Sequence, residues 1–510
     1  MRSYLELALL STVAVCASVL TAAGSSTADS NVVLDGGIHV RADVSSVCSQ
    51  IGDALSSASA LYYPGSINYL EDNYHWLLSS SQSSTCTVEP GTASDVGEVL
   101  QILGATNTSF AIKGGGHASN PGFSSTTGVH IDMSRFSSVT YNAGASTADV
   151  GAGLVWDDVY QELQPHGVVV VGGRVSGIGV AGFTLGGGYS WLTSQYGLTV
   201  DNVVGFELVL PNGTVMGVTE GSNPDLMFAL KHGKGGYNNF GIVTQITLKT
   251  YPIGQIWGGL ITYTENTFPQ LAQAVANFSE NNTDPKAQIL TTYNSAIGFA
   301  GVTQVLFYDA PTPPDGLFDQ FMAIPYFTKD VGTMSFLDLV KLTPSNATAN
   351  TRGVFNTVSI LDYSVDMLNV IANETTYWGS ELTWASGFLV SFDVEPFLPS
   401  LFSHGTTSAS AYPPSRAQPL LPLNLCWTWL DEADDERFWE AITQSADNVK
   451  AKAVSFGQNV GNAPLYGNYA IFSTPLEYIF GDQLARLQSI KQRYDPGNVM
   501  GLTGGWKVQV

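Results

Sequence analysis

Between Ala111 and Gly122 the chain reads Ala-Ile-Lys-Gly-Gly-Gly-His-Ala-Ser-Asn-Pro-Gly, and no other stretch limits its fold and chemistry as tightly. Glycine lacks a Cβ, so consecutive glycines admit positive φ and let backbone amides approach a bulky anion such as a pyrophosphate. His117 follows directly and stands at the rim of that turn. There an imidazole can donate a hydrogen bond, ligate a metal, or be alkylated by an electrophilic cofactor. A glycine-rich surface turn with an incidental histidine is the competing reading. The pattern upstream is an amphipathic helix from Asp95, apolar at 96, 99, 100, 102 and 103, and then a short strand from Ser109 to Lys113.

The chain has 510 residues. Single cores stop growing near roughly 250 to 300 residues, so two domains are expected. Met1 to about Ala23 carries Arg2, an apolar run from Leu7 through Leu20, and small residues at 21 to 23, the pattern of a secretory signal peptide despite Glu6. No later stretch is long and apolar enough to span a bilayer, so a soluble, secreted protein with no membrane partner is expected. Six Asn-x-Ser/Thr sequons, at Asn107, Asn212, Asn277, Asn281, Asn346 and Asn373, fit that route as glycosylation sites. Once the leader and its Cys16 are removed, Cys48 and Cys86 lie near the N-terminus and are expected to pair. Cys426 is left as a buried free thiol, and no cysteine or histidine cluster has metal-ligand spacing. With 20 Lys+Arg against 43 Asp+Glu the net charge is −23, which excludes nucleic acid as a natural partner.

A second glycine-rich stretch follows the apolar run Val168–Val171: Gly172-Gly-Arg-Val-Ser-Gly-Ile-Gly-Val-Ala-Gly-Phe-Thr-Leu-Gly-Gly-Gly-Tyr189. Gly177, Gly179 and Gly182 formally match a dinucleotide fingerprint, and Asp201 falls near the expected distance behind them. That match is a decoy, because a Rossmann site needs a helix growing from the motif and Gly186-Gly-Gly188 would break it almost at once. Strand patterns at 203–210, 215–218 and 240–248, with a helix at 223–232, complete a mixed α+β region, and Pro252–Gly254 is a candidate boundary. Beyond it, 260–263, 288–293 and 301–307 read as strands, and 268–279, 365–371 and 432–449 as helices.

Taken in order, Lys113-Gly-Gly-Gly-His117, Pro121-Gly, Gly172-Gly with Gly177-Ile-Gly-Val-Ala-Gly, Gly186-Gly-Gly-Tyr189, Asp201-Asn, Asn239-Phe-Gly-Ile-Val-Thr244, Tyr466-Gly-Asn-Tyr469 and Arg493-Tyr-Asp-Pro-Gly-Asn498 resemble one family. It is the FAD-linked oxidases of the vanillyl-alcohol oxidase superfamily, with the PCMH-type FAD-binding domain, and within it the berberine-bridge-enzyme-like group. The resemblance is strong over about 90–250 and at the C-terminus and weak in the middle. It implies an α+β fold in which a two-part FAD domain, residues 24–253 and 461–510, clasps a substrate domain, 254–460, built on an antiparallel sheet. By the same resemblance, His117 matches the histidine bonded covalently to the isoalloxazine 8α carbon. Gly114, Gly115, Gly116 and Ala118 match the pyrophosphate loop, and Lys113 before them belongs to the same cofactor-binding motif. Gly172, Gly173, Gly177, Gly179, Val180 and Gly182 match the second FAD-wrapping segment, Gly241, Ile242 and Val243 a strand near the adenine, and Asn468 and Tyr469 groups facing the flavin.

Many relatives hold FAD through a second bond to a cysteine, whose position here is Val175, so a single attachment is expected. Tyr466 matches the tyrosine that takes a substrate hydroxyl proton as hydride leaves for the flavin. With a free pKa of about 10, it needs a site that favours the phenolate. Ile178 matches the position that in this family lies beside the oxygen-reactive face, where a small residue accompanies oxidase behaviour. The expected function is a secreted, monomeric FAD-dependent oxidoreductase that takes a hydride from an alcohol, carbohydrate or secondary metabolite. Dioxygen is the expected acceptor, ahead of a dehydrogenase's alternative. The rival is a flavin-binding glycoprotein with little turnover.

Overall fold

A computed structural model describes residues 43–231, 237–405 and 416–509; the leader at 1–23, the residues up to 42 and the end of the expected 223–232 helix lie outside the described residues. Three sheets carry the architecture. The first contains β1 (Ala60–Tyr62), β2 (Cys86–Glu89), β3 (Phe110–Lys113) and β4 (Val129–Asp132) in the order β1-β2-β4-β3. β4 runs parallel to both β2 and β3, and the helix Ala93–Thr106 connects β2 to β3. Thr92 caps that helix by accepting from Asp95 N, and Asn107 ends it in the left-handed region. Cys48, on the helix Val44–Ala54, is disulfide-bonded to Cys86 at the start of β2, as the sequence suggests. A closed loop of 38 residues constrains the unfolded chain by about 4 kcal/mol on the chain-entropy account.

The second sheet contains β5 (Val139–Asn142), β6 (Thr147–Gly151), β7 (Val168–Val170), β8 (Val203–Val209), β9 (Val215–Val218) and β10 (Ile242–Pro252), in the order β5-β6-β10-β8-β9 with β7 also on β10. β7 pairs antiparallel with β10, and the helix after it, Val180–Leu185, stops at Gly186 after six residues. The parallel strand-helix-strand unit of a Rossmann site is therefore absent at this motif, for the reason the glycines suggest.

Between Pro252 and Ile256 the chain passes into the third sheet: β11 (Ile256–Thr264), β12 (Ala287–Ala296), β13 (Phe299–Tyr308), β14 (Thr328–Met334), β15 (Arg352–Ile360), β16 (Gly387–Val394) and β17 (Leu421–Trp429). It is antiparallel throughout, in the order β14-β11-β13-β12-β16-β17-β15. The two-residue period of a strand gives each face its own core. Ile289, Tyr293 and Leu306 pack with the helices Phe268–Asn281, Val365–Thr383 and Asp435–Ser455. Their neighbours Leu290, Val305 and Phe307 face the glycine-rich half, in one core with Trp191 and Val180.

The C-terminal tail returns to the first half. Asn239 donates to the Trp506 carbonyl at 2.8 Å and accepts from Val508 N at 2.9 Å, and the buried pair Lys491–Asp495 (3.0 Å) anchors the last helix. Among the described residues no helix is long and apolar enough to cross a membrane, and no group of three or more His, Cys, Asp or Glu is placed to hold a metal ion. Cys426 is free and buried in β17. Five of the sequon asparagines are exposed and Asn277 is half-buried.

Candidate active site

β3 feeds its last residue, Lys113, directly into the glycine turn. Lys113 Nζ donates to Asp132 Oδ2 and to the carbonyls of Glu71 and Asp72, each at 2.9 Å, so the strand end is fixed from beneath. The two glycine stretches meet here. A Cβ built on Gly115 would lie 2.5 Å from Gly179 Cα, and one on Gly179 would lie 2.5 Å from Gly115 N. Only a residue without a side chain permits that backbone approach. Gly172 and Gly173 serve differently, since both lie flat against the Trp156 ring. Asp157 secures the stretch that follows them by accepting from Ser176 Oγ at 2.6 Å and from Gly177 N at 2.8 Å. Val175 and Ile178 are half-buried at the rim, and Val180 opens the short helix that carries Gly182. Gly241 approaches the Val209 carbonyl as Ile242 and Val243 begin β10.

His117 is stacked on Trp76, ring centroids 4.0 Å apart and planes at 13°. Trp76 is held by its own donations, Nε1 to the Ser345 carbonyl at 2.8 Å and backbone N to the Gly116 carbonyl at 3.0 Å. His117 Nε2 is buried and has no hydrogen-bond partner in the protein. Burial lowers the imidazole pKa to about 4, so the ring is neutral at ordinary pH. A neutral ring with an orphaned buried nitrogen, beside a glycine turn that admits no Cβ at Gly115, suits a bulky bound group better than a surface turn.

From His117 a run of aromatic contacts leads to the C-terminal motif: Phe355 on β15 lies 6.4 Å from His117 and 5.9 Å from Tyr469, and Tyr469 lies 4.8 Å from Tyr466. Asn468 is seated against Gly186, so the tail motif rests on the second glycine stretch. The structure thus brings His117, both glycine segments, Tyr466, Asn468 and Tyr469 together. Burial pushes the Tyr466 phenol above its ordinary pKa, although its oxygen accepts from Gly188 N (3.1 Å) and Asn468 Nδ2 (2.9 Å), which favours the phenolate in part. The surroundings of Tyr466 therefore disfavour the phenolate on balance.

Tyr469 has a different neighbour. Its hydroxyl donates to Glu395 Oε1 at 3.2 Å, and Glu395 Oε2 receives Arg174 Nη2 at 2.5 Å. Both members of that ion pair are buried, at 6% and 1% side-chain exposure. Burial raises the Glu395 carboxyl to about 7, against the pull of Arg174. Asp393, two residues before it, is also raised by burial and is held by Thr292 Oγ1 (2.7 Å) and Asn424 Nδ2 (2.9 Å). Arg174 Nη1 is buried without a protein partner. Sequence reasoning did not single out Trp76, Arg174, Phe355 or Glu395. Two signals pointed at the last group: Arg174 interrupts a glycine motif, and Asp393-Val-Glu395 puts two carboxylates at the end of an otherwise apolar strand. Asp201 binds Arg416 at 2.7 Å and accepts from Leu198 N at 3.1 Å, a structural role in the turn that follows Gly197.

Comparison with known proteins agrees with this geometry. Residues 84–219 match the model of an FAD binding domain. The chain is 30% identical to the FAD-dependent monooxygenase drtC of Aspergillus calidoustus, over 97% of this chain and 96% of that protein. The solved BBE-like 1 of Physcomitrella patens superposes with a TM-score of 0.73 at 20% identity, covering 90% of this chain and 97% of that one. Glucooligosaccharide oxidase from Acremonium strictum, described with a 6-S-cysteinyl, 8α-N1-histidyl FAD, gives 0.74 at 16% identity over 92% of this chain and 100% of that one. The chain belongs to the FAD-dependent oxidoreductases that include drtC, and it shares the fold of the solved BBE-like and carbohydrate oxidases.

Proposed function

We propose that this oxidoreductase is secreted, takes a hydride from a small substrate that carries a hydroxyl, and passes the electrons to dioxygen. The substrate is an alcohol, a carbohydrate or a secondary metabolite. The reading rests chiefly on the buried Arg174–Glu395–Tyr469 cluster at the end of the aromatic run from His117. Bound FAD supplies a two-electron acceptor. The amides of Gly114, Gly115, Gly116 and Ala118 hold its pyrophosphate, with the stretch from Gly172 to Gly182 and Gly241 to Val243 along the rest of it. His117, neutral and with an unpartnered ring nitrogen, is the attachment point. Valine at 175 has no nucleophile, so the attachment is single.

The proton follows a separate course. Tyr469 accepts the substrate's hydroxyl proton as its own passes to the Glu395 carboxylate, and Arg174 stabilises that carboxylate in the unprotonated form. A phenol already donating to a carboxylate is better placed for this than Tyr466, whose hydroxyl oxygen receives neutral donors at Gly188 and Asn468. Names of relatives favour dioxygen as acceptor, since drtC is named a monooxygenase and the A. strictum protein an oxidase.

The test is an anaerobic reduction screen of purified holoenzyme with alcohols, sugars and phenolic metabolites, paired with acid precipitation. Bleaching of the flavin by at least one class and a yellow precipitate are expected, with His117→Ala releasing its flavin. A colourless wild-type precipitate removes the covalent bond. A flavin that stays oxidised throughout favours the flavin-binding glycoprotein with little turnover.

A further inference from the structure

At the end of the third sheet remote from the active site, three separate loops meet and expose apolar side chains. Ile297 and Phe299 come from the β12–β13 hairpin, Trp384 from the end of the helix Val365–Thr383, and Leu430 from just past β17. Their exposures are 59%, 64%, 92% and 63%. Backbone hydrogen bonds gather the three loops at the start of β16: Ile297 N donates to the Phe388 carbonyl at 3.0 Å, and Leu430 N to the Ser386 carbonyl at 3.1 Å. Scattered single apolar residues are ordinary on a protein surface; a contiguous group marks a contact site.

Ile297 strengthens that reading. It lies at φ +49° and is followed by Gly298 at +81°, a hairpin turn in which both central residues are left-handed. Asparagine, aspartate or glycine suits the first of these positions, and a β-branched side chain suits it least. Ile297 gains no burial in exchange, so nothing within the described residues accounts for isoleucine there. Strain held at an exposed apolar position is what a contact made outside the chain would explain.

The rim is acidic. Glu381 is exposed one turn before Trp384, and Leu430 runs directly into Asp431-Glu-Ala-Asp-Asp-Glu436, against which Arg352 and Arg437 are the paired cations. We propose that this surface docks a cationic amphipathic segment of a partner protein, with its apolar side chains on Trp384, Leu430, Ile297 and Phe299 and its lysines or arginines over the acidic rim. A second copy of this chain would set acid against acid, in a molecule whose net charge is −23. The eight residues of β16 separate this end from Glu395 by about 26 Å, so a docked partner leaves the substrate site open.

The test measures fluorescence anisotropy of a labelled Leu/Lys amphipathic peptide of about 18 residues on the holoenzyme, with Leu/Glu and Ser/Lys peptides of equal length as controls. The Leu/Lys peptide should bind about tenfold more tightly than either control, and less tightly at high salt. Trp384→Ser with Leu430→Ser should weaken it about tenfold, while Leu70→Ser, at an exposed apolar position on another face, should leave it unchanged. Ile297→Asn should weaken binding by a few fold and raise the melting temperature, a pairing that a packing role does not produce. Equal binding by wild type and the double variant overturns the proposal. So does a melting temperature lowered by Ile297→Asn, or a sedimenting dimer that the double variant abolishes.

Discussion

His117 and Glu395 are both titratable groups stripped of water, and they stand at the two ends of one run of aromatic contacts, yet burial has opposite uses in them. His117 has no charged partner, so desolvation acts alone and leaves a neutral ring with a lone pair. Glu395 has Arg174 at 2.5 Å, so desolvation outweighs an attraction that opposes it, and the carboxyl is raised only to about 7. The first environment suits attachment, and the second suits a proton that must move in both directions at working pH.

The sharpest test of this contrast is removal of the phenol. Tyr469→Phe should slow anaerobic flavin reduction by about 100-fold or more while the flavin stays bound, and Tyr466→Phe should cost less. Stopped-flow absorbance decides it; the reverse ranking returns the base to Tyr466. On the His117 side, Gly115→Ala should destabilise the fold by about 1–3 kcal/mol, because its Cβ meets the Gly179 backbone and no rotamer relieves the clash. Thermal melting of the flavin-bound and flavin-free forms checks this.

The pH profile separates the two ends. The Glu395 pKa is raised, so its carboxylate is protonated below about 7 and cannot accept; the reduction rate should rise as pH climbs through that value and level above it. Below the inflection the fall should approach tenfold per pH unit, and Glu395→Gln should abolish it. His117, with its pKa lowered to about 4, should contribute no inflection near neutrality. The smallest effect is expected at Ile178. In air-saturated buffer, Ile178→Val should speed reoxidation of photoreduced enzyme by a few fold if one methylene closes a dioxygen-sized cavity. No change makes Ile178 ordinary packing.

How much of this was legible follows from the kind of signal each residue leaves. Gly115 and Gly179 could be read because backbone crowding tolerates no other residue, and such demands are written locally. The bond between Cys48 and Cys86 was readable for a similar reason, two thiols near one end of the chain with no other candidate close by. Glu395 and Arg174 were harder, because an isolated carboxylate or guanidinium in a sequence usually marks a solvated face. Only the pairing of β16 with β12 and β17, settled by long-range packing, buries them together. The same holds for Trp76 and Phe355, which are ordinary aromatics until β15 lies beside the glycine turn.

Asn120 lies just behind the glycine turn, and it bonds to the tail twice, donating to the Ala470 carbonyl at 2.9 Å and accepting from Phe472 N at 3.0 Å. Those partners are 350 and 352 residues later in the chain. Translation at 5–20 residues per second puts about 20 to 70 seconds between the ribosome's delivery of the first partner and of the second. Throughout that interval the nascent chain carries a glycine cradle with one wall missing. Capture of the flavin is therefore expected to wait for synthesis of the tail, and a chain cut short before Tyr466 should be colourless however well its first half folds.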